Sequence, residues 1–197
     1  MAGLLATIEG IDGSGKSTQA ELLEHYLKEQ GKDVLLTQFP SKNLIGTILR
    51  NMIKKSIKLT SKKAICMLFV ADMYEDYESV IKPAIESGVI VICDRYSLSN
   101  MAYQSTENID RIWIRHLQFY LVPPNVTYFL DVPVDIAFDR LNAKKDKYEN
   151  KEFLEKVHYE YTAYKGEEVF ENKVILKGDL TMKETSEAII ADLRGRL

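Results

Sequence analysis

Between residues 10 and 18 the chain reads Gly10-Ile11-Asp12-Gly13-Ser14-Gly15-Lys16-Ser17-Thr18, three glycines followed by a lysine and two hydroxyls. Glycine opens backbone conformations closed to larger residues, so that successive N–H groups can converge on an anion at the positive end of a helix. Lys16 can carry charge to the outer oxygens of a polyphosphate, and the Ser17 hydroxyl is a hard ligand suited to Mg2+. The spacing Gly10-x-x-x-x-Gly15-Lys16-Ser17 is that of the phosphate-binding P-loop in full. A glycine turn that merely joins two elements would need no Lys-Ser pair there.

Such a loop works only between a strand and a helix. Leu4 to Ile8 is an apolar run, and Ala20, Leu23 and Leu27 recur at helical spacing after it. Gly31 is the expected cap of that helix, and 33–38 reads as a second strand. Leu44 to Ile53 forms a short amphipathic helix, and Thr60-Ser61 opens a long one running to about Ser87, kinked by Pro83. Val89 to Cys93 is an apolar, β-branched run of the sort found inside a parallel sheet. Arg111 to Leu121 is helical, Val126 to Leu130 a fourth strand, and Pro133 starts a helix that ends near Leu141. After a polar segment at 142–150, Phe153 to Tyr164 is helical, Lys173 to Leu176 a fifth strand, and Thr181-x-x-Glu184 a capping box. The alternation predicts a single α/β domain over 1–197 with a five-stranded parallel sheet and helices on both faces.

Composition narrows the function classes. The net charge of −3 over 197 residues argues against a broad cationic surface for nucleic acid. No apolar run approaches a membrane span and no signal-peptide pattern opens the chain, so a cytoplasmic protein is expected. Cys66 and Cys93 lack metal-ligand spacing and read as buried reduced thiols. His25, His116 and His158 fall in expected helices without a second ligand nearby.

Asp94 and Arg95 follow the third strand directly, at the sheet edge where ligands bind. Helical spacing after them puts Tyr96, Asn100 and Tyr103 on one face, an amide and two phenols beside one arginine. Phe69, Asp72 and Met73 share a face of the long helix. A P-loop leaves open whether water, a protein hydroxyl or a second nucleotide receives the phosphoryl group. Transfer to a nucleoside monophosphate needs no strong base but many cations, and Lys16, Lys42, Arg50, Arg95, Lys144, Lys145 and Lys147 offer them.

Taken together these stretches resemble the thymidylate kinase family, almost end to end. Residues 9–19 are similar to its first motif, Phe39-Pro40 to its second and Leu68-Phe69-x-Ala71-Asp72 to its third. Asp94-Arg95-Tyr96-x-x-Ser99-Asn100-x-Ala102-Tyr103 is similar to its most distinctive signature, and Asp146-Lys147-Tyr148-Glu149 to its mobile lid. The resemblance implies transfer of the γ-phosphoryl of ATP to dTMP, with Mg2+, in a homodimer. It makes Phe69 the ring under the base, Asn100 its pairing amide and Tyr103 the residue beneath the sugar. Arg95 would hold the acceptor phosphate, with Asp12 near it; Phe39, Pro40, Arg50, Met73 and Ser99 complete the acceptor set. Donor contacts fall to Gly10, Asp12, Gly13, Ser14, Gly15, Lys16, Ser17, Thr18 and Arg140, and metal contacts to Ser17 and Asp94.

Three departures from the family pattern stand out. Met73 stands where the family usually has an arginine that donates to thymine, which leaves dUMP or dCMP open as acceptors. Ser14 occupies a place where some members carry arginine, so the catalytic cation must come from Lys144 and Lys147, lysines where arginine is common. A P-loop ATPase switch, and a kinase acting on a neutral 5′-hydroxyl through a carboxylate base, are the readings from other classes.

Overall fold

A computed structural model describes residues 3–143, 150–164 and 172–197. Five strands form one sheet: β1 (Leu4–Glu9), β2 (Val34–Gln38), β3 (Ile90–Asp94), β4 (Val126–Asp131) and β5 (Lys173–Lys177). Their order is β2-β3-β1-β4-β5. Every pair is parallel, which is the pairing that the alternating pattern predicts. β1 and β3 are buried along their whole length. Alternation then divides their side chains: Leu4, Ala6, Ile8, Ile90 and Ile92 join a core with Ala20, Leu23 and Leu27, whereas Leu5, Val91 and Cys93 join another with Val70, Met73 and Tyr96.

The helices are α1 (Lys16–Glu29), α2 (Leu44–Ile53), α3 (Lys62–Asp76), α4 (Lys82–Glu86), α5 (Ser97–Ser105), α6 (Arg111–Leu117), α7 (Val134–Ala143), α8 (Lys151–Ala163) and α9 (Met182–Arg194). Capping residues set several starts: Asn43, Ser61, Asp110 and Asn150 each accept a backbone N–H of the first turn, and Thr181 with Glu184 forms the expected capping box. Gly31 takes φ 70° behind α1, and its N–H bonds to Lys28 O at 2.9 Å.

Three expectations need correction. The long helix from Ser61 to Ser87 is interrupted by a π-helical turn at Tyr77–Ile81, where the Lys82 N–H reaches back to Tyr77 O. Pro83 has no N–H to give, and the wider turn accommodates it at the start of α4. The helix expected to reach Leu121 ends at Leu117, since Gln118 takes φ −93° and ψ 2° and turns the chain before the two prolines. Tyr96 does not share a helical face with Asn100 and Tyr103. It is the N-cap of α5, outside the helix, and buries its ring in the core beside Phe39.

Candidate active site

The parallel register brings the carboxyl ends of three strands together. Ile8 pairs with Asp94 on one side and Tyr128 on the other, so the loop after β1 emerges between β3 and β4. A cleft of about 680 Å³ opens there. Its walls are the 12–19 loop and helix start, Phe39, Asp94 and Arg95, Arg140 and Leu141 of α7, and the segment from Leu176 to Thr185.

The loop itself is shaped by what surrounds it. Gly13 takes φ 79°, and a Cβ there would lie 2.2 Å from Ala137 O, so no larger residue fits between loop and α7. Gly15, at φ 96°, is the N-cap of α1 and offers no side-chain acceptor, and the first turn holds no acidic residue. The first turn of α1 thus has no side-chain cap to compete with an anion, and the helix dipole lies behind it. Lys16 is buried with its Nζ 2.7 Å from Ile11 O and 3.9 Å from Asp12 Oδ1. Ser17 donates to Asp94 Oδ2 at 2.5 Å, while Asp94 Oδ1 is buried without a hydrogen-bond partner. A hydroxyl and a carboxylate so placed form a hard oxygen set that fits Mg2+.

Arg95 stands on the other side of this loop. Its backbone sits at φ 72°, a conformation that costs a non-glycine residue about 1–3 kcal/mol. The guanidinium pairs with Asp12 Oδ1, lies 4.9 Å from the Tyr103 ring centroid and stands 3.5 Å from Ser99 Oγ. Tyr103 donates to Asp12 Oδ2 at 2.6 Å. Burial alone would lower the Arg95 pKa, but Tyr103, Tyr161 and Glu9 together outweigh it and leave the pKa above its ordinary value, so the guanidinium stays charged.

Other side chains named from the sequence are distributed less evenly. Asn100 is buried on α5 beside the Cys66 thiol of α3, which burial pushes up to about 11 against the opposing pull of the Asn100 amide. Phe69 is half-buried on α3, and Phe39 lines the cleft. Arg50 donates through Nη1 to the carbonyls of Pro40 and Ser41, and so braces the turn after β2. Two further residues of the expected acceptor set are buried. Met73 is 2% exposed in the core with Val70 and Tyr96, an apolar thioether filling apolar space. Ser99 is buried under Arg95, its hydroxyl given to Glu9. Lys144, Lys145 and Lys147, and with them most of the expected lid at 142–150, lie outside the described residues.

The sequence reading missed several contributors. Glu9, ending β1, gathers hydrogen bonds from Tyr96, Ser99 and Tyr161; burial raises its pKa, against the Ser99 hydroxyl and the Arg95 charge. A lone acid closing an apolar strand was the available signal. Asp72 is fully buried and accepts from the N–H of Ser41 at 2.8 Å and its hydroxyl at 2.6 Å, which anchors the turn that carries Phe39. The turn after β5 has no motif, only its place at the carboxyl end of a strand.

Comparison with known proteins agrees with this geometry. The family model described as thymidylate kinase matches residues 8–189. A probable thymidylate kinase of Pyrococcus abyssi is 36% identical over 204 residues, covering 100% of this chain and 98% of the relative. Probable thymidylate kinase 2 of Saccharolobus solfataricus is 34% identical over 98% of this chain and 89% of its own length. A thymidylate kinase of Thermosipho melanesiensis is 36% identical over 80% of this chain and 82% of its own. A match of that length covers the glycine loop, the Asp94–Tyr103 segment and the strands that bring them together, and the chain belongs to the thymidylate kinase family.

Proposed function

We infer that this chain transfers the γ-phosphoryl group of ATP to dTMP, giving dTDP and ADP. One observation carries the reading: an anion site made of backbone N–H groups and a permanently charged arginine face the same cleft, joined by Asp12. Two phosphates brought there head to head repel each other, and Lys16 and Arg95 offset that repulsion where the charge is transferred. The acceptor oxygen is already anionic, so no general base is required.

In this reading the loop N–H groups from Gly13 to Thr18 hold the donor phosphates and Arg140 lies along the donor nucleotide. Ser17 and Asp94 would hold Mg2+, which when bound neutralises donor phosphate charge. Arg95 grips the acceptor phosphate; Tyr103 supports the sugar through its bond to Asp12; Asn100 and Phe69 meet the base. Lys144 and Lys147 supply the remaining cations. The exposed Ile112, Phe119 and Tyr120, the last two 71% and 82% exposed, suit a homodimer interface, in a cytoplasmic enzyme. None of the helices among the described residues is long and apolar enough to cross a membrane.

Family membership favours dTMP, although Met73 offers no donor to thymine. Incubating the protein with ATP, Mg2+ and a panel of dTMP, dUMP and dCMP is the test, with the highest kcat/KM expected for dTMP. Lack of turnover on every pyrimidine monophosphate would refute the reading, and a higher value for another base would move the substrate.

A further inference from the structure

Glu9 has no part in the phosphoryl transfer just described, yet it is 1% exposed and meets only donors. Its Oε1 accepts the backbone N–H of Tyr96 at 2.8 Å and that of Ser99 at 3.3 Å. Its Oε2 accepts the hydroxyl of Ser99 and that of Tyr161 at 3.3 Å, and those two hydroxyls are 2.7 Å apart. One carboxylate thus ties the end of β1 to the start of α5 and to the last turn of α8.

What it holds is the bend at Arg95. The N–H of Arg95 donates to Ile8 O at 3.0 Å, its carbonyl accepts from Cys93 Sγ at 2.9 Å, and the next N–H, that of Tyr96, goes to Glu9. Each fastening comes from β1 or β3, so the left-handed residue is fixed to the sheet on both sides. A residue in that conformation persists only where its surroundings over-determine it. Beyond the bend, Ser99 lies between Glu9 and the guanidinium, 3.5 Å from Arg95 Nη1.

We propose that Glu9 is a positioning residue for phosphoryl transfer: it fixes the left-handed turn at Arg95, so that the guanidinium is aimed at the acceptor phosphate, and seats α8 at the same point through Tyr161. The inference rests on the reading of Arg95 as the acceptor-phosphate ligand. An aspartate would fall one methylene short of α5. A glutamine keeps one oxygen for the two N–H groups, and its amide nitrogen meets two hydroxyls that can rotate to accept. Glu9→Gln therefore folds while the carboxylate's charge beside Arg95 is lost; Glu9→Ala loses every bond.

The test is steady-state kinetics on both substrates, in the native background and in Arg95→Lys, with ATP binding measured in the absence of acceptor. Glu9→Gln is expected to lower kcat/KM for dTMP about tenfold and Glu9→Ala roughly 10²-fold, the loss that follows from misplacing a reacting group by about 1 Å. ATP affinity should stay within about twofold, and in Arg95→Lys the same change at Glu9 should do much less, because residues acting as a unit are not additive. Should Glu9→Gln not fold, Tyr161→Phe removes one donor and leaves the ring packing; a few-fold loss confined to dTMP is expected, again muted in Arg95→Lys. Native kinetics on dTMP in a folded variant overturns the proposal, and so does an equal loss with and without Arg95, or a loss shared equally by ATP affinity. An unmutated protein inactive on dTMP would instead remove the functional reading beneath it.

Discussion

The two halves of the cleft are built by different means. On the proposed donor side the groups offered to an anion are backbone N–H groups of a contiguous loop, shaped by Gly13 and Gly15 at positive φ and backed by the dipole of α1. The proposed acceptor side is instead assembled from side chains on separate elements and braced by carboxylates: Asp12 takes Arg95 and Tyr103, Glu9 ties down Ser99 and Tyr161, and Asp72 anchors Ser41. A contiguous loop can bind any polyphosphate but has little to say about what lies beyond it. Side chains gathered from α3 and α5 can distinguish a base and a sugar, at the cost of needing supports that the local sequence does not supply.

Substitutions on each side should separate the two designs. The largest effect is expected from Gly13→Ala, which places a Cβ 2.2 Å from Ala137 O at a φ of 79°. Strain and overlap together should remove roughly 3–5 kcal/mol of stability, and ATP binding by calorimetry should fall with it. Asp72→Ala comes next. It leaves a buried N–H and a hydroxyl of Ser41 without their acceptor, worth about 2–3 kcal/mol in chemical denaturation. Here KM for dTMP should rise more than KM for ATP, because the released turn carries Phe39; equal rises would erase the distinction between the halves.

The smallest effect is a control remote from both. Asp192 on α9 accepts from Arg196 and from Tyr128, and the Arg196 bond leads in holding its carboxyl below the usual range. A depressed carboxylate pKa stabilises the fold above the unfolded value near 4 and loses that contribution as pH falls through the folded one. Asp192→Asn should cost roughly 0.5–1 kcal/mol at neutral pH and nothing in kcat/KM, with the gap to the native protein closing in denaturation curves as pH falls through the depressed folded-state pKa.

The parts of the site that were legible in the chain are those made by neighbours in sequence. Gly10 through Ser17, the capping box at Thr181 and the succession of strands and helices along the chain could be read because glycine conformation, side-chain capping and hydrophobic period are local properties. Tyr96 was misplaced for the same reason: helical spacing assigned it to the face of Asn100 and Tyr103, whereas the left-handed Arg95 turns the chain before α5 begins. Nothing within a few residues of Glu9 or Asp72 announces a partner at Tyr161 or Ser41.

By itself, then, the amino-acid sequence determined the phosphate loop, the alternating α/β architecture and the arginine that follows the third strand. The tertiary structure decided which carboxylates hold that arginine and its neighbours, that Met73 belongs to the core, and that Ser99 serves Glu9. The reason is physical: backbone preferences are settled over a few residues, but a buried charge can be satisfied only by donors that packing brings from far along the chain.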